Sequence, residues 1–238
     1  MTTHVTTHNP VRSDALTAVG AVEASPTRSR SWAIAGIGAG LAGIGTVVTS
    51  SMINAVYDED LVGDTPAIAD KLADQTAPMF AFHTFALVGA VLTVVFAAGL
   101  HRRLRARLGD ASTVPLVAFA GLVGTAVVSV LGSGLDTEFM LALKENHLID
   151  PANAAFYNHW TGTIPWCWVL AGLAGVAVFV AARAGGVPRW IGLVGLVLGG
   201  LTLLFGISPL QYIAGMTGPL WLLVTAIGFA AGDRAYRR

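Results

Sequence analysis

The chain reads as an all-α, polytopic transmembrane bundle of six spans with both termini in the cytoplasm. Three observations predict that. Of the 238 residues, 54% are hydrophobic and only 12% are charged, where a soluble domain carries about 25% charged residues. The charges are confined to connections between apolar runs, each close to the ~20 residues that cross ~30 Å of hydrocarbon. The basic residues cluster in alternate connections, led by Arg102, Arg103, Arg105 and Arg107. Such clusters belong on the cytoplasmic side, because positive charge resists translocation.

Residues 1–30 are rich in Thr, Ser and Ala, carry Pro10 and Pro26, and show no periodic apolar face. They read as a disordered cytoplasmic tail. They are not expected to be a cleaved leader, because the apolar run that follows is too long for a signal h-region. His4 and His8 there read as solvated.

Span 1 is expected over residues 32–53. It contains Gly38-Ala39-Gly40-Leu41-Ala42-Gly43, a literal G-x-G-x-x-G. A dinucleotide site needs a strand before that motif and an amphipathic helix after it. Neither is readable here. Gly36 and Gly40 instead form a small-xxx-small pair that lets a second helix approach closely.

Residues 54–77 form an acidic connection. Thr65-Pro66 reads as a helix start, with Thr65 as N-cap and Ile68 and Leu72 on one face of a short surface helix. Span 2 is expected over 79–100, with His83 one turn inside its outer end, and span 3 over 113–134. A second acidic connection carries Asp136, Glu138, Glu145 and Asp150, with His147 and His159. Asp150-Pro151 repeats the helix-start signature. Span 4 is expected over 160–182. Its Pro165 leaves a carbonyl one turn earlier unpaired and can open the helix there. Cys167, the single cysteine, sits between Trp166 and Trp168 and reads as a small apolar side chain. Span 5 is expected over 190–207, ended by Ser208-Pro209, and span 6 over 212–231, before a basic tail.

Counting charges tests this topology. Twelve of the 14 Lys and Arg fall in the proposed cytoplasmic segments, and ten of the 14 Asp and Glu fall outside. The net charge of zero thus hides two oppositely charged ends and offers nothing to nucleic acid.

No Asp, Glu, Lys or Arg falls within a proposed span. Proton relays, ion-coupled transporters and voltage sensors use such residues, so their absence counts against those functions. The polar constellation lies outside: His83, Asp136, Glu138 and His159 are the candidate metal ligands, by the affinity of imidazole and carboxylate for zinc, copper or iron. No other cofactor is indicated. Counted from the inner span ends, His83 stands ~25 Å up, and Asp136 and His159 ~35 Å up. That offset disfavours a bis-histidine haem between spans 2 and 4. The alternative is a hydrated acidic rim, with His83 bonded to a neighbouring helix.

Gly186-Val187-Pro188-Arg189-Trp190-Ile191-Gly192 leads into a Gly/Leu/Val span ending near Phe205, and Pro219-Leu220-Trp221 opens a closing span with Gly228-Phe229. This pair of helices resembles the C-terminal pair in a family of small bacterial six-span integral membrane proteins of unknown function. The resemblance implies a six-helix bundle in the bacterial inner membrane and brings no catalytic residues.

Three functions fit. The first is a non-enzymatic bundle that binds lipid, another membrane protein or itself through glycine-rich helix faces. The second is passage or sequestration of an uncharged, lipophilic small molecule in a cavity opened near Pro165. The third is a metal-dependent enzyme or redox protein on the outer face.

Overall fold

A computed structural model describes residues 30–145 and 148–232. The tail 1–29, His147 and the basic residues after 232 lie outside them. All regular structure among the described residues is helical. The helices are α1 Ser31–Met52, α2 Thr65–Asp74, α3 Thr76–Leu108, α4 Val114–Gly132, α5 Asp136–Ala142, α6 Pro151–Thr163, α7 Val169–Arg183, α8 Arg189–Val194, α9 Gly200–Ile207 and α10 Tyr212–Gly232.

These make six helical stretches long and apolar enough to cross a membrane: Ser31–Met52, Thr76–Leu108, Val114–Ala142, Pro151–Arg183, Arg189–Ile207 and Tyr212–Ala231. The protein is a multi-pass membrane protein. Large apolar side chains stay exposed all round the bundle, among them Val91 at 65%, Val127 at 59% and Leu204 at 62%. A soluble surface rarely carries so much contiguous apolar area, whereas lipid solvates it.

Each span packs on its neighbours in sequence, and the last returns to the first. The order around the ring is α1, α3, α4, α7, α8–α9, α10. Short connections between antiparallel helices favour this arrangement. Acidic connections lie at one end of the ring and arginines at the other, here called the carboxylate end and the arginine end.

Glycine sets the helix spacing. A Cβ at Gly40 would stand 2.7 Å from the Leu223 Cα of α10, and one at Gly36 would meet Phe96 and Ala226. The G-x-G-x-x-G of α1 is therefore a packing face. Trp168, 7% exposed, fills the centre between Gly43 and Gly218. On the far side, α7 approaches the fifth span so closely that a Cβ at Gly175 would lie 2.7 Å from the Gly199 Cα. The fifth span winds as a π-helix over Gly195–Gly199 at that crossing, although its Gly/Leu/Val pattern predicts an ordinary α-helix throughout.

The carboxylate end is more than a rim. Ile53, Leu72, Met79, Phe82, Phe139 and Tyr157 belong to a second hydrophobic core, separate from that of the spans. It lies beneath a cap made of α2, α5 and α6. The expected surface helix is present, and Ile68 and Leu72, the two residues expected on one face, are both buried. Its N-cap is Asp64, whose Oδ1 accepts from the Ala67 N–H at 3.1 Å, and not Thr65, because a carboxylate suits the positive helix end better than a hydroxyl. Asp150 caps α6 in the same way through the Ala152 N–H at 2.8 Å.

One further expectation needs correction. The arginine stretch 101–108 is helical, as the last two turns of α3. Span 4 opens at Pro165, as the missing N–H there leads one to expect: α6 ends at Thr163, Ile164–Trp166 is a 3-10 turn, and α7 begins only at Val169. Pro165 has no N–H to continue the ladder, and the Trp168 indole covers the Pro165 carbonyl at 2.9 Å.

Candidate functional site

Two groups of side chains meet where the cap joins the spans, and α6 carries part of each. The first is built on Asp136. The turn 133–135 that ends α4 delivers this carboxylate to the first residue of α5, and it is fully buried. His83 of α3 places Nδ1 3.1 Å from Asp136 Oδ2. Tyr157 of α6 donates its hydroxyl to Asp136 Oδ1 at 3.1 Å. Both carboxylate oxygens are thus engaged, as burial of a charge demands. Tyr157 also stacks on Phe139 with centroids 4.4 Å apart and planes 2° apart. The cluster ties spans 2, 3 and 4 together beneath the cap.

This arrangement overturns the depth argument that set His83 ~10 Å below Asp136. That count started span 2 at residue 100 and span 3 at residue 113. The omitted helical residues 101–108 add ~12 Å to the height of His83 at 1.5 Å per residue, which brings the two level. The hydrated-rim expectation also fails for Asp136. The expectation that no Asp, Glu, Lys or Arg falls within a span does not hold at Asp136, which lies in the membrane-crossing stretch Val114–Ala142.

The other candidates lie elsewhere. Glu138 is exposed on α5. His159 is one turn from the break in span 4, with its ring edge-on to Tyr57 at 5.7 Å. Among the described residues, no three His, Cys, Asp or Glu are grouped as a metal ion would require. His83 and Asp136 are the pair that the fold brings together.

The second group surrounds the break. A cavity of about 360 Å³ is lined by Ser50, Ser51, Ile53, Tyr57, Gly162, Trp166 and Tyr212. It lies between the end of α1, the 3-10 turn after α6 and the start of α10. Tyr57 comes from the short turn Ala55–Tyr57, and its position requires a glycine at 162, since a Cβ there would collide with the Tyr57 hydroxyl. Burial raises the Tyr57 hydroxyl above its ordinary range, with the neighbouring Tyr212 adding to the shift, so it stays a neutral donor. Trp166 and Tyr212 stand edge to face at 5.7 Å. The Tyr212 and Thr163 hydroxyls lie 3.5 Å apart.

The walls are thus aromatic and neutral, with hydroxyls at the rim. Among the described residues, no carboxylate, Lys or Arg lines the space. Behind it, Asn158 of α6 is fully buried. Its side chain donates to the Ile53 carbonyl at 2.7 Å and accepts from the Val56 N–H at 2.9 Å. Ser50 donates to the Thr161 carbonyl at 2.7 Å. These bonds fix the end of α1 against α6 and hold the cavity wall in place. Cys167 is half-buried beside it, its thiol directed at the Thr163 carbonyl.

No family model matches the chain, and neither a curated protein nor a solved structure matches it. The reading of function therefore rests on this geometry.

Pro165 marks the break in the sequence itself. Tyr57, Asn158 and Tyr212 carry no such mark, because a single Tyr or Asn in a connection is most often ordinary surface. The one signal they leave is an Asn directly after a helix-borne Tyr, at Tyr157-Asn158, where both side chains prove to be buried.

Proposed function

We propose that this protein binds an uncharged, lipophilic small molecule in the cavity beside the break in span 4, and sequesters it or passes it across the membrane. The observation that carries this is the cavity itself. Small-molecule sites are concave, mainly apolar and furnished with a few placed polar groups, and its lining fits that description. Irregular backbone at membrane depth is tolerated where it lines a cavity, and discontinuous helices mark binding sites in membrane transporters. The neutral lining favours an uncharged ligand, because a charge here would lose its hydration without gaining a partner.

The distribution of arginine supports a cell membrane setting with both termini in the cytoplasm, so that the cap and the cavity mouth face outward. The resemblance of the last two helices to small bacterial six-span proteins is in keeping with that.

The test is titration of the purified protein with the neutral lipophilic dye Nile red, read by dye emission and by tryptophan quenching. Saturable binding is expected, and Ser51→Trp, which fills the cavity from its exposed rim, abolishes it. Non-saturable partitioning, or binding untouched by Ser51→Trp in a folded variant, would contradict the reading.

A further inference from the structure

We propose that a second cavity, at the arginine end between α7 and α8, holds one anionic glycerophospholipid, with its phosphate between Arg183 and Arg189. This site is separate from the cavity at the carboxylate end and does not depend on what that cavity binds.

The cavity has a volume of about 460 Å³ and is lined by Phe179, Ala182, Arg183, Gly185, Val187, Arg189 and Leu193. Its shape follows from the turn between spans 4 and 5. Helix α7 stops at Arg183, and the chain reverses through Gly185, which takes φ +75°, a backbone state that favours glycine. The Gly186 N–H closes the end by donating to the Ala181 carbonyl at 2.8 Å. Pro188 then starts α8, whose first residue is Arg189. The reversal therefore puts one arginine on each side of the same space.

Neither arginine forms an ion pair or side-chain hydrogen bond among the described residues. Among the described residues, no carboxylate lines the cavity. At the same end, Asp110 is taken by Arg105 at 2.7 Å. Two arginines lining one cavity without an acid among the described lining residues offer a site for an oxyanion, and Arg matches phosphate with two parallel hydrogen bonds.

The other walls decide which phosphate it is. Phe179, Val187 and Leu193 give the cavity an apolar side. Leu193 is 56% exposed and leads into Leu196 and Val197, also exposed, along the lipid-facing surface of the fifth span. Trp190, 47% exposed, stands beside Arg189 at the level where aromatic side chains anchor in the interface. A free inorganic phosphate has no use for that surface. A lipid uses all of it, with headgroup at the arginines and an acyl chain along Leu193 and Val197. Basic pockets between spans at the cytoplasmic surface bind phospholipid headgroups by this chemistry.

The test uses the full chain in nanodiscs of phosphatidylcholine containing a minor fraction of phosphatidylglycerol, followed by native mass spectrometry in detergent. The wild type is expected to retain one phosphatidylglycerol per chain in preference to phosphatidylcholine. Arg183→Ala with Arg189→Ala weakens retention by about tenfold for each arginine, while Arg102→Ala with Arg105→Ala at the same end leaves it intact. Equal loss in both double variants would overturn the proposal, as would equal retention of both lipids, or displacement of the lipid by millimolar inorganic phosphate. If the double alanine variant fails to fold, Arg183→Lys with Arg189→Lys decides: weakened retention supports the site and unchanged retention overturns it.

Discussion

His83 Nδ1 and Asp136 Oδ2 lie 3.1 Å apart, one on the second span and the other in the third, where α5 begins. The Asp136 side chain is fully buried, while that of His83 keeps 27% of its surface. The aspartate therefore depends on its partners more than they depend on it. Breaking a buried pair costs most when a charge is left behind. His83→Ala, which leaves the buried Asp136 carboxylate with the Tyr157 hydroxyl as its remaining partner, should cost about 2–3 kcal/mol. Asp136→Ala, which leaves behind a part-open imidazole and a hydroxyl, should cost less. In a double-mutant cycle read by thermal unfolding in detergent, the two should couple by about 1 kcal/mol or more. Additive effects would show that the contact contributes nothing.

That pair also shows where reading the sequence fell short. The six spans were legible because a run of about twenty apolar residues suits little besides a membrane. The break at Pro165 was legible because a missing N–H acts locally. The meeting of His83 and Asp136 depended on where a helix ends. The stretch 101–108 consists of Arg, Leu, Ala and His without Gly or Pro, so nothing stops the helix until Gly109, which has φ +78°. The arginines mark where the apolar run ends, but charge does not break a helix, and α3 continues to Leu108. The cap is not legible for a related reason: its core joins residues from five segments, namely the end of α1 with the turn after it, α2, the start of α3, α5 and α6, and none of those segments is apolar enough to declare itself.

Gly199 and Gly200 are adjacent in the fifth span and should respond in opposite ways to alanine. A Cβ at Gly199 would lie 2.7 Å from the Gly175 Cα, whereas one at Gly200 meets nothing within 4 Å. Gly199→Ala must push α7 away and should lower the melting temperature clearly. Gly200→Ala should stabilise by about 0.5–1 kcal/mol, by removing backbone freedom from the unfolded chain. Equal effects at the two positions would contradict the close crossing of spans 4 and 5.

Thr225 is fully buried on α10, and its hydroxyl has no hydrogen-bond partner among the described residues, as is also true of the Trp221 indole N–H one turn away. An unpaired buried hydroxyl costs about 1–3 kcal/mol. Thr225→Val keeps the shape and removes that cost, so the variant should be more stable by about 1 kcal/mol. A loss of stability would mean that the hydroxyl is satisfied in the membrane.

The cap should loosen in acid. The Asp58 carboxyl is held below the usual carboxylate range, first by the hydrogen bond from Lys71 and then by the Asp60 N–H. Because its folded value is depressed, the contribution of Asp58 is present above the unfolded value and disappears as pH falls through the folded one. Amide exchange in α2 should accelerate across that acid window, and Asp58→Asn should shrink the pH dependence. An unchanged acid response in Asp58→Asn would exclude this pair as its source.

The membrane topology is tested most directly by compartment-sensitive reporters fused to each terminus and inserted in the connection near Asp60. Six crossings with the arginine end in the cytoplasm predict cytoplasmic signals from both termini and an external signal from the Asp60 position. Termini reported on opposite sides, or an internal signal at Asp60, would contradict it.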